Sequence, residues 1–144
     1  MANRLKLVLP TIISSEKSGF VPSKSIYEGI IIAHEAIHSL KLNKEEGMMI
    51  KLDIKKAYDN VNWSFLLKVL DKFGFSRGWC KWIFSCIDSP RISVLVNGSP
   101  QGFFEMERGI RQGDPLSPFI FIILVEVLGR AISKVKKDKR WNGL

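Results

Sequence analysis

The chain has 144 residues, enough for one domain with a real hydrophobic core. Its 46% hydrophobic and 25% charged content excludes a disordered polymer, and a net charge of +8 favours a polyanionic partner, nucleic acid or an anionic membrane surface. Only two cysteines are present, Cys80 and Cys86, which fits a reducing compartment better than a disulfide scaffold.

The opening stretch MANRLKLVLPTII carries basic residues, but Pro10 breaks its one short apolar run, so it does not read as a signal peptide. A capping box of Ser25 and Glu28 predicts a helix from Ser25 to about Leu40, with Ile26, Ile30, Ala33, Ile37 and Leu40 on one face. After the polar loop KLNKEEG, the alternation in MMIKLDI predicts a strand. Ile50, Leu52 and Ile54 share one face of it, and Met49, Lys51 and Asp53 share the other.

NVNWSFLLKVLDKFG predicts a helix with Trp63, Leu66, Leu67, Leu70 and Phe73 inward and Gly74 as its stop. A further helix around WCKWIFSCI aligns Trp79, Trp82, Ile83, Cys86 and Ile87, which makes the cysteines small buried hydrophobes. RISVLVNG predicts a strand that NGSPQG turns into a hairpin with FFEMERG. The turn-rich IRQGDPLSP then leads to a helix from Pro118 to about Lys137, with Ser117 as N-cap. Its longest apolar run, Phe119 to Val125, is too short to cross a bilayer and reads as a buried core helix ended by Glu126. Helices interleaved with a few strands, without repeats or linkers, indicate one compact unit of α+β or α/β organisation.

Two stretches carry candidate chemistry, and a third is a decoy. The decoy is HEAIH, His34 to His38, which fits the zinc-protease pattern H-E-x-x-H on a helix. A catalytic zinc needs three protein ligands, and the chain has only two histidines, so a zinc protease is rejected. On a helical wheel the pair lies roughly 100° from the apolar stripe, where boundary histidines sit.

In KLDIKKAYDNVNW, Asp53 on the open strand face can hold a divalent metal, while the basic surroundings receive a phosphate-bearing substrate. A plain Lys51–Asp53 surface pair explains the same spacing. In RGIRQGDPLSP, Gly109 and Gly113 permit close backbone approach and Arg108 and Arg111 supply charge. The following helix start offers free N–H groups to a polynucleotide backbone or a triphosphate. The simpler alternative is a tight loop capped by Asp114 or Ser117.

The succession LPTIISSEKSGFVPSKSI, KLDIKKAYDNVNW, SVLVNGSPQGFF and RGIRQGDPLSPFIFIILVEVL resembles the reverse transcriptase domain of non-LTR (LINE-type) retrotransposons, particularly those of plants. R-Q-G-D-P-L-S-P is the most specific of these motifs, and AHEAIH is similar to the family's helix after G-F-V-P. The resemblance implies an α+β, partial right-hand polymerase: fingers-like to about residue 47, palm-like from about 48, with a few-stranded antiparallel sheet packed on helices. It implies that Asp53 and the Ile54 backbone carbonyl bind the two catalytic Mg²⁺ ions. Tyr58 is then the gate against a ribose 2′-hydroxyl, and Gln112 and Gly113 line the nucleotide and template pocket. The implied chemistry is attack of a primer 3′-hydroxyl on the α-phosphate of a dNTP, with an RNA template and a DNA primer as partners, no membrane, and a nuclear site of action.

Nucleic-acid contacts are expected from Arg108 and Arg111 and from the basic C-terminal run with Lys134, Lys136, Lys137, Lys139 and Arg140. The chain departs from the family's Q-S-A-F and P-G-R at Lys17, Gly19, Ser23 and Lys24. It also contains no Asp-Asp pair, the mark of the family's second metal motif, so the expectation is a truncated piece that is inactive alone. A mobile-intron reverse transcriptase and a non-catalytic basic nucleic-acid-binding remnant are the alternatives.

Overall fold

Leu5, Leu9 and Ile13 recur every four residues and are 0%, 0% and 7% exposed, one buried stripe along α1 (Ala2–Ile12) and its end. This helix was not expected, because Pro10 counts as a breaker in sequence. Pro10 falls in the last turn, where its missing N–H removes a single hydrogen bond, and the Ile13 N–H still reaches the Leu9 carbonyl at 2.9 Å. The computed structural model describes residues 1–14, 17, 19, 25–44, 47 and 49–138. The G-F-V-P stretch from Phe20, Ser23 and Lys24, the Glu45–Glu46 pair, Met48, and Lys139 and Arg140 therefore lie outside the described residues.

The chain divides into two units, Lys56–Ser117 with Met1, and Ala2–Lys55 with Pro118–Leu144. In the second unit, α2 (Ile26–Asn43) starts where expected: the Ser25 hydroxyl accepts from the Tyr27 N–H at 3.3 Å. It runs a turn further than predicted and stops at Lys44, whose φ of 53° is left-handed. The predicted apolar face is not buried, since Ile30 and Ile37 are 50% and 37% exposed. Periodicity fixes which side chains share a helix face, but not what covers that face.

The predicted strand is also corrected. No ladder forms at residues 49–54, and Met49, Ile50, Leu52 and Ile54 are all exposed. Alternation gives a segment two faces, but a strand exists only when a neighbour supplies the other half of its hydrogen bonds.

The same unit contains α5 (Ser117–Lys137), which buries Ile120, Ile122 and Ile123. Glu126 does not end this apolar stretch but is buried within it, 1% exposed. Its Oε2 accepts from the Ser14 N–H and hydroxyl, and its Oε1 accepts from the Arg130 Nε at 2.9 Å. Arg130 also donates to the Ile12 carbonyl at 2.7 Å, so α5 closes the end of α1 through both a donor and an acceptor. No described helix is long and apolar enough to cross a membrane.

In the first unit, α3 (Trp63–Lys72) is capped by the Asn62 side chain, which accepts from the Phe65 N–H at 2.9 Å. It ends at Gly74, φ +87°, with Phe75 N–H to Leu70 carbonyl and Gly74 N–H to Asp71 carbonyl, the two bonds of a Schellman stop. Leu66, Val69 and Leu70 are its buried side chains. The next helix, α4 (Arg77–Asp88), is capped by Ser76 and packs on α3. It buries Ile83 and Ile87, but Trp82 and Cys86 point outward, contrary to the predicted five-residue face. That face spans too wide an arc for one neighbouring helix to cover. Cys80 is half-buried, and burial, with the Asp71 charge in support, raises its thiol pKa.

β1 (Arg91–Val96) and β2 (Ser99–Glu105) form the predicted antiparallel hairpin, around a tighter turn than expected. Asn97 and Gly98 both have positive φ, 50° and 79°, as a two-residue primed turn requires, so SPQG belongs to the strand. A bulge shifts the register between Ile92 and Val94, opposite Gly102 at φ +61°. The expected antiparallel sheet forms, but among the described residues helices do not bury it. The two-stranded hairpin leaves nearly every residue exposed, Val94, Leu95, Phe103 and Phe104 among them.

Candidate active site

Arg108, Arg111, Gln112 and Gly113 lie exposed on the loop between β2 and α5, and Tyr58 lies half-buried in the turns at residues 55–60. These two segments are distant in sequence, and backbone hydrogen bonds join them. The Ile110 N–H donates to the Tyr58 carbonyl at 3.0 Å, and the Gly109 N–H donates to the Val61 carbonyl at 2.8 Å. The Trp63 indole N–H donates to the Gly109 carbonyl at 2.6 Å. Ile110 and Val61 are 2% and 5% exposed, so the junction is sealed by apolar side chains.

Gly109 is required here twice over. Its φ is +91°, and a Cβ would lie 3.1 Å from the Asp59 carbonyl oxygen and 3.2 Å from the Asp59 Cα. Gly113 has φ +85° with open space where a Cβ would go, so only its backbone conformation asks for glycine. Between it and α5, the Asp114 carboxylate accepts from the Leu116 N–H at 2.7 Å and the Asp114 carbonyl from the Ser117 N–H at 3.1 Å. Asp114 therefore shapes the entry to the helix, and Ser117 is its first residue rather than the cap. The loop is tight and capped, as the simpler reading had it. That shape also leaves Gln112 and Gly113 exposed.

Asp53 and Ile54 belong to the other unit and are exposed, as are Lys134, Lys136 and Lys137 in the last turn of α5. His34 and His38 are exposed on α2, and no group of three or more His, Cys, Asp or Glu gathers among the described residues. Sequence reasoning placed Trp63 in the core and missed its bond to Gly109. The available signal was its place directly after the Asn62 cap, where an indole N–H can reach back towards the loop.

A family model described as reverse transcriptase (RNA-dependent DNA polymerase) matches residues 1–140. The chain belongs to the reverse transcriptase family. Over 94 residues it is 33% identical to the retrovirus-related Pol polyprotein from type-1 retrotransposable element R2 of Popillia japonica, covering 63% of this chain and 16% of that protein. It is 27% identical over 123 residues to the transposon TX1 uncharacterized 149 kDa protein of Xenopus laevis, covering 85% of this chain and 9% of that one. An uncharacterized mitochondrial protein of Arabidopsis thaliana is 44% identical over 50 residues, 35% of this chain and 41% of its own length. The reverse transcriptase domain is thus of the non-LTR retrotransposon kind, and the chain spans under a fifth of the length of its R2 and TX1 relatives. Mixed helices with a two-stranded antiparallel sheet suit part of such a domain.

Proposed function

We propose that this chain supplies the nucleotide-holding part of an RNA-directed DNA polymerase, fingers-like to about residue 47 and palm-like from about 48 within a right-hand polymerase. The observation that supports the reading is the Tyr58–Ile110 hydrogen bond, which joins the Tyr58 backbone to the loop bearing Gln112 and Gly113. In this reading Tyr58 excludes a 2′-hydroxyl, the Gln112–Gly113 backbone receives the nucleotide and template, and Arg108 and Arg111 meet phosphates. Lys134, Lys136 and Lys137 add a sequence-independent hold on the RNA template and DNA primer.

The donor type at Asp53 fits Mg²⁺: a carboxylate with the neighbouring Ile54 carbonyl offers hard oxygens. Mg²⁺ is commonly held by one or two carboxylates together with substrate phosphates. The donor number falls short of a two-ion set, because no group of three or more His, Cys, Asp or Glu gathers among the described residues. When bound, Mg²⁺ supplies charge neutralisation at the triphosphate.

The test is binding of a fluorescent dNTP to the 144-residue chain with and without Mg²⁺. The reading expects Mg²⁺-promoted binding that Asp53→Asn weakens, and a preference for dNTP over rNTP that Tyr58→Ala removes. Binding indifferent to Mg²⁺ and to both substitutions would reject it.

A further inference from the structure

Trp63 is the first residue of α3 and is held on two sides. Asn62 caps the helix beside it, and Phe84 of α4 meets its ring edge-on, with centroids 5.7 Å apart and planes at 84°. A ring fixed in this way aims its single N–H in one direction, and that direction is the Gly109 carbonyl, 2.6 Å away. Gly109 is buried, so water has little access to replace the bond. Its N–H is already spent on Val61, and the next N–H, from Ile110, is spent on Tyr58. The chain therefore leaves this clamp at Ile110 in a fixed direction, and Arg111, Gln112 and Gly113 follow at once.

Resting on the reading of Tyr58, Gln112 and Gly113 as the nucleotide's surroundings, we propose that Trp63 is a positioning residue for nucleotide selection. By pinning the Gly109 carbonyl it sets the separation between the Tyr58 gate and the Gln112–Gly113 loop, and so the space left for a 2′-hydroxyl. Trp63 itself does not touch the nucleotide. A tryptophan serving only the core needs burial alone, and phenylalanine could meet that need. The bond to Gly109 is what only a donor at this position makes, because the neighbouring Val61 and Tyr58 reach the loop through carbonyls.

The experiment uses Trp63→Phe, which keeps an aromatic ring against Phe84 and removes the donor. Fluorescent dATP and ATP are titrated into the 144-residue chain and the variant in Mg²⁺. Affinity for dATP is expected to fall about tenfold, the scale of one buried hydrogen bond, while ATP changes less, so the preference narrows. Amide hydrogen exchange at Gly109 and Ile110, whose N–H groups bond the Val61 and Tyr58 carbonyls, is followed in parallel and is expected to accelerate about tenfold. If the unaltered chain binds neither nucleotide, the nucleotide reading fails, and exchange still decides whether Trp63 holds the loop. Unchanged exchange at these two residues overturns the proposal, as does an unchanged dATP-to-ATP ratio in a chain that binds both. Should Trp63→Phe fail to fold, Phe84→Leu frees the indole without removing its donor and is expected to shift both readouts in the same direction, more weakly.

Discussion

Ser14 donates both its backbone N–H, at 3.1 Å, and its hydroxyl, at 2.9 Å, to the same carboxylate oxygen of Glu126, 112 residues away. Glu126 is almost wholly buried, and Arg130 holds its other oxygen while closing the Ile12 carbonyl. Removing the carboxylate deletes the acceptor shared by two Ser14 donors and the one that the Arg130 Nε uses. Glu126→Ala is expected to destabilise the fold by about 2–3 kcal/mol in urea unfolding. Glu126→Gln is expected to cost less, because an amide oxygen still accepts from Ser14.

The same carboxylate sets an acid limit. Burial pushes its pKa up, but the hydrogen bonds from Arg130 and Ser14 and the Arg130 charge outweigh that, so the net pKa lies below the ordinary 4.5. A carboxylate with a depressed folded-state pKa stabilises the fold fully above its unfolded value and loses that contribution as pH falls through the folded one. Unfolding free energy should therefore decline from about pH 4.5 downward, and Glu126→Gln should flatten the decline. An identical acid slope in both proteins would contradict this.

Gly109 and Gly113 separate two costs that a glycine can hide. Both have positive φ, but only at Gly109 would a Cβ press on backbone atoms, those of Asp59. Gly113→Ala is expected to cost about 1 kcal/mol from backbone conformation alone. Gly109→Ala is expected to cost about 2–3 kcal/mol, because the main chain of residue 59 must move as well. Thermal melts of the two variants give the comparison.

What the sequence made legible was local. Ser25, Asn97–Gly98 and Gly74 each act within a few residues of themselves, and the helix start, the hairpin turn and the helix stop fall where those residues are. What stayed hidden depends on distant partners. Pro10 looks like a breaker until Leu5 and Leu9 are seen buried, and residues 49–54 alternate like a strand but form no ladder. Glu126 reads as the end of an apolar run because Ser14 is more than a hundred positions away in sequence. At the candidate site, the residue types in RGIRQGDPLSP and KLDIKKAYDNVNW were legible, whereas the Trp63–Gly109 and Tyr58–Ile110 bonds between them belong to the fold.

Lys134, Lys136 and Lys137 are exposed at the C-terminal end of α5, where cations also suit the helix dipole. If they grip a nucleic-acid backbone, affinity for an RNA–DNA duplex falls steeply with salt. Replacing all three by glutamine should then reduce the slope of log affinity against log salt by about 2–3. An unchanged slope would leave them as a solvated helix end.

If this chain holds the nucleotide end of RNA-directed DNA synthesis, as proposed, Asp53 is its metal carboxylate. Two-metal transfer needs carboxylates from two places to hold two ions about 3.5–4 Å apart, and the sequence has no Asp-Asp pair to supply the second. The 144-residue chain by itself should therefore give no primer extension. The direct measurement replaces the matching residues of an active relative with this chain and follows Mg²⁺-dependent dNTP incorporation on an RNA template. Incorporation by the chimera and its loss on Asp53→Ala are expected, whereas incorporation undiminished by Asp53→Ala rules out Asp53 as the metal carboxylate.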